Sequence, residues 1–298
     1  MGLFDIVGLT PLMERTRGRP EITVALIDGP VALDHPDLVG QRIHEIAKKS
    51  PSACVDRSSA ACAHGTFVAG MLAAKRGSVA AAMCPDCSFL LHPIFSEAPL
   101  RNGEQPSATP EELAAAIVDS VQAGARVLNL SVNVTRSSRG DTPLAEALTF
   151  ASNRGVIAVA AAANEGAMTS SELLRHGWVL PVVASDDVGR PLQSSRFSAP
   201  AWKRGLSAPG REITSLGTNG KPLTMSGTSA ATAFVTGAIA LLWSELPKAR
   251  AADVRFAITN RPSQRRAGVV PPMLNAWSAY RTLVAESARA GSARWQGE

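Results

Sequence analysis

Ile22–Pro30, ITVALIDGP, decides how the rest of the chain is read. Six of its first seven residues are apolar or β-branched, the run is short, and Pro20 and Gly29-Pro30 bound it. A run of that kind is a strand buried on both faces. It ends on Asp28, a carboxylate at the carboxyl end of an apolar strand.

The same grammar repeats outward. CSFLLHPIF (87–95), ARVLNLSV (125–132), VIAVAAA (156–162) and WVLPVVASD (178–186) read as further strands. Helical patterns lie between and after them: HGTFVAGMLAAK (64–75), TPEELAAAIVDSVQAG (109–124), TPLAEALTFASNRG (142–155), TSAATAFVTGAIALLWSEL (228–246), ADVRFAIT (252–259) and PMLNAWSAYRTLVAES (272–287). Thr109 is an N-cap with Glu111 and Glu112 in the first turn, and Gly124 is a stop signal. Strands alternating with helices predict an α/β fold: a mostly parallel central sheet with helices on both faces, in three layers. No repeat or low-complexity linker interrupts the 298 residues, so the expectation is one domain over 1–298, with its core at about 20–285.

Composition removes several function classes. The chain is 45% hydrophobic and 18% charged, with a formal charge of +5. The positive excess is thin and densest in RPSQRRAG (261–268) and 281–295. Aromatics are only 5%, so no basic patch with interleaved rings marks a nucleic-acid footprint. No unbroken apolar run reaches spanning length, so no membrane partner is expected. The first residues, MGLFDIVGLTPLMERTRGRPE, lack a basic start and a small-residue cleavage site, which gives a cytoplasmic expectation. The four cysteines are Cys54, Cys62, Cys84 and Cys87. They read as structural thiols or local disulfides, because the 54/62 separation is no standard zinc-ligand spacing. No metal and no cofactor are expected. Phosphate-loop, dinucleotide and H-E-x-x-H signatures are absent.

Four polar residues stand at strand ends or helix starts: Asp28, His64, Asn164 and Ser229. Singly, each is an ordinary turn or cap residue. Together they form a chemical set. A serine hydroxyl needs a base to become a nucleophile. Imidazole is the natural base near neutral pH. A carboxylate fixes its tautomer and stabilises its charged form. An Asn amide, with the serine N–H at a helix start, can hold an oxyanion.

VALIDGPVALDHPDL (24–38), HGTFVAGMLAA (64–74), AAAANEG (160–166) and SGTSAATAFVTGAIALL (226–242) resemble, in this order, the signature segments of the subtilisin-like serine proteases, or subtilases. The resemblance covers about residues 20–285. It implies a serine endopeptidase with Asp28, His64 and Ser229 as triad and Asn164 as oxyanion donor. It also implies a substrate edge at Ser131, Val132 and Asn133 and an opposite pocket wall at Ala161, Ala162 and Ala163. Asn133 and Val134 stand where the family carries glycines, so the pocket is expected to be shallow and to favour a small residue before the cut. Asp28-Gly29-Pro30 and HPIFSE (92–97) resemble the subgroup that matures ribosomally made peptides. The implied partner is a peptide or precursor peptide.

Three departures from the family pattern matter. Ala233 replaces a proline four residues after the nucleophile position, with no expected loss. Lys75 and Arg76 stand in a loop that supplies calcium ligands in many secreted members, and Asp37 lacks companions, so calcium is not expected there. Only about 27 residues precede Asp28, so an inhibitory prodomain is expected either to be absent or to have been trimmed from this sequence. Two alternatives stand beside hydrolysis: a catalytically silent peptide-binding module, and a transamidase that passes the acyl group to an amine.

Overall fold

The computed structural model describes residues 2–46, 53–98, 107–134, 142–162, 172–192, 204–260 and 271–294. The short helices α1 (Leu3–Ile6) and α2 (Thr10–Arg15) precede β1 (Thr23–Asp28). Then follow β2 (Ile43–Glu45), α3 (Ala60–Ala73), β3 (Ser88–Pro93), β4 (Ser107–Ala108), α4 (Pro110–Gln122), β5 (Val127–Leu130), β6 (Asn133–Val134), α5 (Thr142–Asn153) and β7 (Ile157–Ala161). The order ends with α6 (Glu172–Arg175), β8 (Leu180–Ser185), β9 (Leu206–Pro209), β10 (Ile213–Leu216), β11 (Pro222–Met225), α7 (Thr228–Glu245), α8 (Ala251–Thr259) and α9 (Ala276–Arg294).

Seven strands form one parallel sheet in the order β2-β3-β1-β5-β7-β8-β9. The strand alternation builds the layers. Val24 and Leu26 of β1, Val127 of β5, and Ile157 and Val159 of β7 pack with Phe67, Met71 and Leu72 of α3 and with Phe234, Ile239 and Trp243 of α7. Their neighbours Ala25, Ile27, Leu128, Leu130, Ala158 and Ala160 pack with α4 and α5. Period-two side-chain direction thus puts every second residue into a different core. Burying each large side chain contributes about 1.5–3 kcal/mol.

Helix α7 runs through the first core, with its side chains buried except at Ser229 and Glu245. That is why its sequence is apolar around the whole circumference. At Gly237 a Cβ would lie 2.8 Å from Met83 Sδ, so any larger residue would have to displace that side chain.

Several element boundaries differ from the sequence reading. Helix α3 starts at Ala60 rather than His64, because Ser59 caps it by accepting the Cys62 N–H at 3.1 Å. The Thr109 cap is present, with a reciprocal bond from its N–H to Glu112 at 2.8 Å. The β10–β11 hairpin and the strands β2 and β9 have no counterpart in the sequence reading.

The sheet order places the site. The side on which successive strands are added switches at β1, with β3 on one side and β5 on the other. The carboxyl end of the strand at such a switch point is where α/β sheets open a crevice. Asp28 is the last residue of β1.

Candidate active site

Asp28 is buried at the end of β1. Its Oδ1 accepts the Gly29 N–H at 2.6 Å and lies 2.6 Å from His64 Nδ1. Its Oδ2 is buried and finds no donor among the described residues. Two glycines make the strand and helix meet. A Cβ on Gly29 would sit 2.0 Å from the Ala61 carbonyl oxygen, and one on Gly65 would sit 2.4 Å from the Gly29 carbonyl oxygen. No side chain fits between these backbones. Gly29 is therefore imposed by contact with α3.

His64 occupies the first turns of α3. The edge of its ring meets that of Phe95, just past β3, with centroids 6.5 Å apart and planes at 78°. Its Nε2 lies 2.9 Å from Ser229 Oγ. The carboxylate accepts only, so Nδ1 carries the proton and Nε2 is left to accept from the serine hydroxyl. Burial disfavours the imidazolium, but the charge of Asp28 and its hydrogen bond outweigh burial, and the His64 pKa is raised from 6.5.

Ser229 is the second residue of α7, after Gly227 at φ 149°. First-turn N–H groups have no intrahelical acceptor, and they carry the positive end of the helix dipole. The structure thus brings Asp28, His64 and Ser229 into one hydrogen-bonded row from three distant segments.

The other expected site residues are placed unevenly. Ser131 and Val132 are buried beyond the end of β5, and Ser131 Oγ accepts from Asn129 Nδ2 at 3.0 Å. The backbone of Asn133 is extended in β6 and pairs with β4, Ser107 opposite Asn133; its side chain lies outside the described residues. Ala161 is half-buried and Ala162 buried. Ala163 and Asn164 lie outside the described residues.

In the loop after α3, Lys75 Nζ donates to the Pro36 carbonyl at 2.7 Å, beside Asp37. Cys54 and Cys62 form a disulfide, while Cys84 and Cys87 are buried free thiols. A disulfide is favoured in oxidising compartments, which stands in tension with the cytoplasmic expectation. Among the described residues no helix is long and apolar enough to cross a membrane.

Two features escaped the sequence reading. Glu97 accepts the Asp56 N–H at 3.0 Å and so buttresses the loop before α3. Asn129, fully buried, accepts from Thr236 Oγ1 of α7 at 2.9 Å. The signal for the second was present: an Asn inside the otherwise apolar Val127–Leu130 needs a buried partner.

Comparison with known proteins agrees with this architecture. The model of the Subtilase family matches residues 19–276. The thermophilic serine proteinase of Bacillus sp. (strain AK1) is 34% identical over 77% of this chain and 54% of its own length. Thermitase of Thermoactinomyces vulgaris is 29% identical over 80% of this chain and 79% of its own. The chain thus spans about half the length of the first relative and about four-fifths of the second. Among solved structures, a mutant of the protease domain of PatA is 31% identical, covers 90% of this chain and 97% of its own, and has a TM-score of 0.80. The prenylagaramide maturation protease PagA is 30% identical, covers 93% and 98%, and has a TM-score of 0.79. With the family match running over most of its length, the chain belongs to the subtilase family.

Proposed function

We propose that the chain is a serine endopeptidase acting on peptides. The observation that carries this is the pair of short contacts, 2.6 Å from Asp28 to His64 and 2.9 Å from His64 to Ser229. In this reading Ser229 Oγ attacks the scissile carbonyl while His64 Nε2 takes its proton. The imidazolium, stabilised by Asp28, then protonates the leaving amine, and water repeats the cycle to release the acyl group. The Ser229 N–H at the start of α7 and the Asn164 amide hold the oxyanion. One such donor is worth about 10²–10³ in turnover.

The substrate is proposed to be a precursor peptide cut after a small residue. Support comes from the likeness to PatA and PagA, the second named as a maturation protease, and from Asn133 and Val134 on the substrate edge. The test is covalent labelling by a fluorophosphonate, followed by mass spectrometry of products from a diverse peptide library. Labelling and cleavage are expected, both lost in Ser229→Ala, with linear products ending in Gly, Ala or Ser. No labelling of the folded protein would leave a peptide-binding module instead. Cyclic products would show transfer to an amine.

A further inference from the structure

Three donors that catalysis does not use converge beside the start of α3: Cys54 in the loop ahead of the helix, Cys62 in its buried first turn, and Glu97 in the segment after β3. Cys54 Sγ, Cys62 Sγ and a carboxylate oxygen of Glu97 all lie within 4.8 Å of one another. The two sulfurs are bonded in the structure. We propose that the reduced chain binds a zinc ion here, through the thiolates of Cys54 and Cys62 and the carboxylate of Glu97. The ion then staples the same loop that the disulfide staples in the oxidised chain.

The backbone holds these donors independently of the S–S bond. The Cys54 N–H donates to the Val31 carbonyl at 3.1 Å, which ties the loop to the segment after β1. The Cys62 N–H donates to Ser59 Oγ in the cap of α3. Glu97 is oriented too. Its Oε1 accepts from the N–H groups of Val55 and Asp56 and from Ser59 Oγ, at 3.2, 3.0 and 3.3 Å. Its Oε2 accepts only from the Val55 N–H, at 3.1 Å, which leaves a lone pair for a metal. Amides that fix a ligating carboxylate in this way are the outer partners that metal sites use.

The distances agree with the chemistry. Two sulfurs at about 2.3 Å from a tetrahedral zinc sit about 3.7 Å apart, against about 2 Å when bonded. The loop must therefore open by about 1.7 Å, the difference of these separations. Cys62 is fixed in the buried first turn of α3, but Cys54 is half-buried and residues 55–58 are exposed, so the opening falls on Cys54. Three protein ligands and a water complete four-coordination.

The redox step balances. A dithiol reductant attacks at Cys54, the S–S bond breaks, and the reductant closes to its own disulfide. Two electrons and two protons pass to the cysteines. Zn²⁺ then displaces the two thiol protons to solvent. His64 lies two residues beyond Cys62, so either staple fixes the turn that carries the base.

The experiment reduces the full chain with a phosphine, adds Zn²⁺, desalts it and measures metal per chain and thermal midpoint. About one zinc per reduced chain is expected, with a raised midpoint, and none in the oxidised chain. Cd²⁺ in place of Zn²⁺ should give a thiolate charge-transfer band. Cys54→Ser should abolish stoichiometric binding, and Cys84→Ala/Cys87→Ala should keep it. Glu97→Gln leaves the disulfide intact, so its fold can be checked in the oxidised form. After reduction its zinc affinity should fall by at least the roughly 10–100-fold associated with outer partners. Absence of stoichiometric zinc in the reduced chain, equal binding by the oxidised chain, survival in Cys54→Ser, or loss in Cys84→Ala/Cys87→Ala would each overturn the proposal. So would an unchanged affinity in Glu97→Gln.

Discussion

Two polar clusters flank α3, and they are finished differently. At its start, Asp28, His64 and Ser229 form an open row: one carboxylate oxygen lacks a donor among the described residues, and the hydroxyl is half-buried. Past its end, the guanidinium of Arg76 is enclosed by carbonyls. It donates to Met13 at 2.5 Å, Thr16 at 2.9 Å, Met83 at 3.0 Å and Ala82 at 3.4 Å. Ala82 holds φ 44° while presenting its carbonyl, a left-handed conformation that costs about 1–2 kcal/mol outside glycine. The first cluster keeps a proton ready to move. The second directs four carbonyls at one cation and ties α2 to the loop after α3. A satisfied network holds the fold together, and an incompletely satisfied one is free to react.

The sharpest break of this contrast is Asp28→Asn. It keeps the shape of the first cluster and removes its charge. Turnover is expected to fall by about 10⁴-fold, because the amide no longer enforces the reactive tautomer. The pH profile should move as well. In the native chain Asp28 raises the His64 pKa against the opposing pull of burial, so the acid limb of kcat/KM is expected higher than for an ordinary imidazole. Without the carboxylate only burial acts, and the limb moves down. Stability follows the same sign. Folding favours the imidazolium, so that contribution is complete below the ordinary value of about 6.5 and fades as pH climbs through the raised one. Initial rates and thermal midpoints from pH 5 to 9 check both, and an unmoved acid limb would detach Asp28 from the base.

Arg76→Met breaks the other cluster. Methionine keeps the aliphatic volume but removes the donors from the four carbonyls. Leaving buried acceptors unpaired costs about 1–3 kcal/mol each at the upper end, and half-exposure of Arg76 lets water recover part of it. A net loss of about 2–4 kcal/mol is expected, which for a chain of this size lowers the midpoint by roughly 3–6 °C. Turnover per folded molecule should be unchanged. A midpoint within about 1 °C of the native value would mean that the carbonyls do not need the cation.

How far the sequence could be read follows the same divide. Strands β1, β5, β7 and β8 were legible because burial on both faces leaves a short, mainly apolar run, interrupted in β5 by Asn129. Asp28, His64 and Ser229 were legible because they stand at a strand end and two apparent helix starts, form a chemical set together, and lie in segments that resemble the family signatures in order. Arg76 was read only as a residue ill suited to calcium, since its partners are backbone carbonyls that carry no sequence signature. The start of α3 was missed for a related reason. Ser59 caps it from within Arg57-Ser58-Ser59-Ala60, where several residues could serve. The hairpin β10–β11 hides because its strands are only four residues each and mix polar with apolar residues, β10 being buried except at Thr214 and β11 half-buried at most.

The smallest effect tests a third cluster that mixes the two characters. Thr236 Oγ1, Asn129 and Ser131 Oγ form a buried chain from α7 to the end of β5. Thr236 lies seven residues beyond Ser229, about 10 Å down the helix axis. Thr236→Val keeps the shape and leaves Asn129 Oδ1 without that donor, at a cost of about 1–2 kcal/mol. The nucleophile sits too far away to be disturbed, so kcat should hold. Ser131 heads the segment proposed to bind substrate, so KM should rise by a few-fold. Thr236→Ser keeps the hydroxyl and loses only a methyl group, so it should restore KM while recovering only part of the stability. A fall in kcat with KM unchanged would instead show that this chain positions Ser229, and that the reactive row is supported from deeper in α7 than its own hydrogen bonds reveal.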